Sequence, residues 1–264
     1  MKPYLCPMRA LLSCLILVLL SGHSLAQKNV LTAGIQFQPI FPVAFLNTAD
    51  QTVTNSQQTV SALVSPTFSY SAGMVVRWGF HKRLSLETGL SYVQRNYDLT
   101  MATDTFTGKS DFSIVGYEHP IKLLVFVQVS ERFFMNAAGG FQLTFFPSDI
   151  FTSDTYFKHS GLRLGLGNFL HGGAITNLGF EYRTKKIGFF YLGATYHVPF
   201  GDIYRSKFQY ISNNEPSEAM PIWLNGSYMT FDIRYFFHSM PLERKDGKKR
   251  KSRKERLNDA ESEE

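Results

Sequence analysis

Between Ala72 and Tyr92 the chain alternates residue by residue, and few folds can accept that pattern. Ala72, Met74, Val76, Trp78 and Phe80 share one face, while Ser71, Gly73, Val75, Arg77 and Gly79 share the other. After His81-Lys82-Arg83 the pattern resumes, with Leu84, Leu86, Thr88, Leu90 and Tyr92 set against Ser85, Glu87, Gly89 and Ser91. A period of two is the signature of a β-strand, and a turn this short makes the two strands antiparallel neighbours. Folding the pair about Lys82 sets Trp78 opposite Leu86, Met74 opposite Leu90 and Arg77 opposite Glu87. One broad apolar face with aromatic ends fits a soluble sheet, but equally a membrane barrel turned apolar side out.

The same periodicity predicts six further strands. They are Val30 to Phe37, Ile114 to Val127, Phe133 to Phe145, Ala174 to Arg183, Ile187 to Val198 and Ser227 to Phe237. In the strand from Ile187 both faces are aromatic, so its inward side is left open. Short turns at 81–83, near Ser130 and at 184–186 alternate with long polar connections at 38–68, 96–111, 147–173 and 199–226. An all-β, eight-stranded antiparallel transmembrane barrel of the outer-membrane type requires this segregation, with short periplasmic turns and long outer loops. A soluble eight-stranded barrel has no reason to sort its connections by length, and its apolar face would point inward. Pro120 removes one ladder donor from a wall that has no free edge, which predicts a bulge there.

The first 26 residues read as a signal peptide, with Lys2 and Arg9 before an apolar core and Ser24-Leu25-Ala26 at the cleavage position. Both cysteines, Cys6 and Cys14, fall inside it, so no disulfide or cysteine metal site is expected beyond it. Residues 27–240 form the expected barrel. The tail at 241–264 carries nine Lys/Arg and seven Asp/Glu and reads as a solvated, disordered periplasmic extension. Of the net charge of +6, the leader and this tail supply +2 each. The body is nearly balanced, which argues against a nucleic-acid partner. The 24 Phe and 13 Tyr suit a chain whose partner is outer-membrane lipid met by strands.

The inward face then carries Arg77, Glu87, Arg95, Glu118, Lys122, Glu181, Arg183, Asp232 and Arg234. Acids and bases nearly match, and eight strands leave room for side chains but no wide channel. The expectation is an internal ion-pair network in a filled polar lumen, with Arg77–Glu87 as one specific pair, because buried charges are costly unless paired. No cofactor or metal is expected. An enzymatic alternative is a lipid-modifying hydrolase built from His159-Ser160, His171 or His197 with Asp149 or Asp154, though nothing in the spacing gathers them.

Four runs also carry a family resemblance. Leu84-Ser85-Leu86-Glu87-Thr88-Gly89-Leu90-Ser91-Tyr92 resembles the third strand of the outer-membrane β-barrel domain of Bacteroidota, the PorT-like porin superfamily group. Tyr117-Glu118-His119-Pro120-Ile121-Lys122-Leu123-Leu124 looks like that family's Glu-x-Pro-Leu strand, and Phe180-Glu181-Tyr182 and Phe231 to Phe237 are similar to its sixth and last strands. Tyr235-x-Phe237 is similar to the closing signal read by the barrel-insertion machinery, although the tail displaces it from the chain end. The resemblance implies an exported Gram-negative outer-membrane protein with a non-enzymatic structural or assembly role, associated with envelope or secretion proteins. A small narrow porin is the alternative.

Overall fold

A computed structural model of the 264-residue chain describes residues 30–41, 50–153, 156–185, 187–212, 215–238 and 240–241. The expected signal peptide with its two cysteines, and the tail beyond Pro241, lie outside the described residues.

The described residues form strands and no helix. In chain order these are β1 (Val30–Phe41), β2 (Gln51–Thr54), β3 (Val60–Pro66), β4 (Ser69–Gly79), β5 (Leu84–Thr103), β6 (Thr107–Gln128), β7 (Phe133–Phe145) and β8 (Ile150–Ser153). They continue with β9 (Phe157–Arg163), β10 (Leu170–Arg183), β11 (Phe189–Pro199), β12 (Tyr204–Ser212), β13 (Glu215–Pro216), β14 (Met220–Leu224), β15 (Tyr228–Phe236) and β16 (Met240–Pro241). Eight of them close into a ring. Its order is β1, β4, β5, β6, β7, β10, β11 and β15, and β15 pairs back onto β1 with Ile35 opposite Tyr235. Every pairing in the ring is antiparallel. The β4–β5 register sets Arg77 against Glu87, Trp78 against Leu86 and Met74 against Leu90.

The wall is inside-out relative to a soluble barrel. Met74, Trp78, Leu90, Ile121, Phe141, Leu178 and Leu192 are exposed on the outside, whereas the polar alternates face the buried interior. Outside, the rings of Phe37, Tyr70, Tyr92, Tyr117, Phe145 and Phe169 follow one another at centroid spacings of 5.7 to 6.5 Å. Near the short turns a second set contains the pairs Trp78–Phe80, Phe133–Phe180 and Phe190–Tyr235, at 5.7, 5.4 and 5.3 Å. Tyr70 and Trp78 mark the two levels on one strand. Eight residues at ~3.3 Å each, tilted by ~40°, put the levels about 20 Å apart, near the height of the apolar band of such barrels. A bilayer demands this arrangement, because a closed ring satisfies every backbone group without water.

All four of the long connections expected as loops contain strands; in 38–68 these are β2 and β3. The stretch from Asn96 to Asp111 is the continuation of β5 and β6 well past the aromatic level. The connections at 147–173 and 199–226 supply a second sheet, ordered β13, β12, β9 and β8, with β14 on the other side of β12. That sheet packs against the extensions of β5 and β6 and against β3, which adds to β5. Val60, Ala62, Val64, Leu99, Met101, Phe112 and Ile114 from one layer meet Phe157, Phe208, Met220 and Ile222 from the other in one apolar core. The result is a two-layer cap above the barrel mouth. The inward face of β5 shows the change of rule along a single strand: Glu87, Ser91 and Arg95 point into the lumen, then Leu99 and Met101 into the cap core.

Pro120 sits in β6 without the expected bulge. The β5–β6 register is unchanged on either side of it, with Thr88 opposite Ile121 and Ser91 opposite Glu118. Only the pairs between them are lost from the ladder. Gly89 lies across from Pro120, and its carbonyl is met by the side chain of His119, with Nδ1 at 2.8 Å. A side-chain nitrogen thus stands in for the missing backbone donor, so the strand has no need to kink.

Candidate functional site: the charged lumen

The pleat of the ring strands positions the lumen side chains. Eight of the nine expected residues are buried inside the barrel, and Arg183 is half-buried at the short-turn end. Seven join in one chain of ion pairs. Glu87 is its hub: Oε2 accepts from Arg77 Nε and Nη2 at 3.1 and 3.0 Å, and Oε1 accepts from Lys122 and Arg234, each at 2.7 Å. Arg77 also donates to Glu181, whose other oxygen takes Arg183 Nε at 2.6 Å. Arg234 passes the chain to Asp232 at 2.6 Å.

Asp232 is fully used. Its Oδ1 accepts from Gln38 and Thr230 at 2.7 Å each, and its Oδ2 from Asn177 at 2.8 Å and from Thr195. Tyr191 donates to Asn177 Oδ1 at 2.7 Å. The remaining two expected residues pair with each other nearer the cap, Arg95 Nη2 to Glu118 Oε1 at 3.1 Å. Glu118 Oε2 takes the Tyr228 hydroxyl at 2.6 Å, and His197 Nδ1 lies 2.6 Å from Gln142 Oε1.

The lumen is closed at the short-turn end by aromatic rings. Phe236 and Phe126 lie 4.1 and 5.2 Å from the Arg77 guanidinium, and Phe134 and Phe189 lie 3.9 and 5.5 Å from that of Arg183. These contacts let charge and aromatic surface share one small space. Tyr191, His197, Phe189 and Thr195 all come from β11, the strand whose inward side the sequence leaves open. Polar residues opposite them, Asn177 across from Thr195 and Arg234 across from Tyr191, are the available signal.

The histidines do not form one constellation. His159 Nε2 lies 3.2 Å from Ser206 Oγ, not Ser160, and both are buried in the cap core. The His159 ring stacks on Phe208 at 4.5 Å and tilts against Phe112 at 4.4 Å. Burial pushes its pKa down to about 4, since no anion offsets the lost water. His171 Nε2 meets the Leu164 carbonyl at 2.5 Å, and His197 is in the lumen. Asp149 is held below its ordinary carboxylate range by hydrogen bonds from Arg163, at 3.0 Å from the backbone N–H and 2.9 Å from Nε. Asp154 lies outside the described residues. Among the described residues no group of three His, Cys, Asp or Glu is placed to hold a metal ion.

No protein-family model matches the sequence, and no curated protein matches it. Among solved structures the chain is similar to the outer membrane protein OprG from Pseudomonas aeruginosa. The TM-score is 0.51 at 15% identity, over 81% of this chain and 98% of that one. The fold is that of an outer-membrane β-barrel. The outer membrane protease OmpT from Escherichia coli also overlaps, over 80% of this chain and 93% of that one, with a TM-score of 0.30 and 8% identity. That overlap is too loose to compare sites. In this outer-membrane barrel the two aromatic levels fall on the lipid-facing wall, and Tyr235 and Phe237, the expected closing signal, lie on that outer surface in edge contact at 5.5 Å.

Proposed function

We propose that this chain is an integral outer-membrane protein that acts as a sealed, non-enzymatic scaffold of the cell envelope. The observation that carries the reading is the continuous ion-pair chain from Arg183 to Asp232, which fills the lumen between an aromatic floor and an apolar cap core. A side-chain plug with its charges mutually satisfied offers no continuous water path, and it stiffens the wall. The barrel therefore presents surfaces rather than a conduit: the cap on the outside, and on the periplasmic side the turns and the chain beyond Pro241. Envelope or secretion proteins are the partner class, in keeping with the PorT-like strand motifs. Insertion machinery would read Tyr235 and Phe237 on the closing strand.

Two measurements test this. Planar-bilayer recordings of the refolded protein should show no stepwise conductance, and steady open channels would establish a narrow porin instead. Tagged protein from native outer membranes should bring down a stable envelope partner set that is lost when residues 242–264 are deleted. Recovery of the barrel alone in both cases would refute the assembly role.

A further inference from the structure

Arg95 is 5% exposed, and only part of its guanidinium is used. Nη2 donates to Glu118 and the plane lies over the Tyr228 ring at 4.6 Å, but Nη1 has no hydrogen-bond partner. Glu118 cannot serve it as well, because its second oxygen already holds the Tyr228 hydroxyl and faces His197. A buried charged donor left unmade is among the more costly defects a fold can carry, so an unfilled Nη1 calls for an acceptor.

Beside Arg95 is a partly enclosed cavity of about 50 Å³, between the top of β1 and the segment that leads from β14 into β15. On this measure one water needs ~10–15 Å³, so the enclosed part holds a head group and the first atoms of a chain, and its open side leaves a longer chain room to run out. Gly226 lines it beside Arg95, and a Cβ there would first meet Ile203 Cδ1 at 2.5 Å. The Gly226 φ is +75°, and that Cβ would also sit 3.0 Å from Arg95 Nη1. Asn225 also lines the cavity, and its carbonyl oxygen is taken by the Ser227 amide at 3.0 Å, which leaves its NH2 as the group it can offer. The rest of the wall includes Ile40, Phe41 and Leu224.

We propose that this cavity binds a carboxylate, with the head group on Arg95 Nη1 and Asn225 and a short alkyl portion against Ile40, Phe41 and Leu224. A cation would be repelled by Arg95. A phosphate dianion needs more donors than one guanidinium arm and one amide supply, whereas a carboxylate is matched by them. The carboxylate has two sources, a small soluble organic acid or a fatty acid from the surrounding lipid. The inference stands apart from the sealed-lumen reading, because the cavity lies beside the ion-pair chain and not across it.

The test uses the full protein in nanodiscs. Calorimetric titration with hexanoate should give saturable binding, and uncharged hexanamide should bind at least about tenfold more weakly, the loss of a charge-assisted pair. A second arm loads radiolabelled palmitate in the nanodisc lipid and measures what stays with the protein after exchange into palmitate-free lipid. Saturable hexanoate binding identifies a soluble acid, and palmitate retention alone identifies a membrane-derived one. Arg95→Gln should abolish either signal. Should that variant fail to fold, Thr67→Phe carries the test, since Thr67 lines the cavity at half-buried depth and its ring would fill the space with Arg95 intact. The proposal is overturned if neither carboxylate binds, if hexanamide matches hexanoate, or if the folded variants bind as the native protein does.

Discussion

Lowering the pH from 7 to 4 should loosen the cap while the barrel wall stays closed. In an unfolded cap His159 would titrate near its ordinary value of 6.5, but in the folded core it stays neutral down to about 4. Between those values the open form binds the extra proton, so stability falls as the pH falls through this window and is fully present above it. A separation from 6.5 to about 4 corresponds to about 3 kcal/mol, more than ~100-fold in the opening equilibrium. Asp149, held low by Arg163, and Glu218, held low by the Ser56 hydroxyl and amide, are both shifted down, away from the upper part of this window. Hydrogen exchange of β9 and β12 peptides, corrected for the intrinsic pH dependence of exchange, measures the effect, with the lower halves of β5 to β7 as internal reference. His159→Phe should keep the stack with Phe112 and Phe208, lose the Ser206 hydrogen bond at a cost of about 1 kcal/mol, and flatten the pH response. An unchanged acid response in that variant, or none in the native protein, would refute the reasoning.

Glu87→Gln should destabilise the barrel by about 3–5 kcal/mol, because Arg77, Lys122 and Arg234 all lose their shared anion in a buried site. The temperature at which the folded band is lost on a detergent gel reads this out. His119→Ala should cost roughly 1–3 kcal/mol by leaving the Gly89 carbonyl unmet in lipid. Adding Pro120→Ala to it should recover most of that loss by restoring the backbone donor, as a urea midpoint would show. Gly140→Ala should block folding into the heat-resistant form, since its Cβ would fall 2.0 Å from the Ile121 carbonyl oxygen and 2.8 Å from Lys122 Cα.

The parts of the fold that could be read were those where one rule held along a whole strand. On β4 and β5 polar and apolar residues separate cleanly, so the hairpin, its register and the inward charges follow from alternation alone. On β11 the rule breaks, because Phe189 and Tyr191 face inward to cover Arg183 and Arg234, and aromatic character no longer marks the lipid side. The cap was hidden for a different reason. Its strands are short, its apolar residues face a neighbouring layer rather than lipid, and turn-forming residues interrupt them. Val60, Ala62 and Val64 do alternate within a stretch read as a loop, but three positions are a weak signal without the partner sheet. At Pro120 the general rule for proline in a ladder was outweighed by the histidine one residue before it.

The cap also bears on how this barrel comes to stay in its membrane. Its core draws on β3, β5, β6, β9, β12 and β14, so it can be completed only after segments from most of the chain have crossed the bilayer. Those segments must travel unfolded, since the finished two-layer body is too bulky to follow them. Once Phe157, Phe208 and Met220 are packed against Met101 and Phe112, withdrawal would require that core to be taken apart on the far side. Each large side chain returned to water would cost about 1.5–3 kcal/mol. A folded cap of this kind opposes any backward slide of the strands that carry it, because its core would have to be taken apart first.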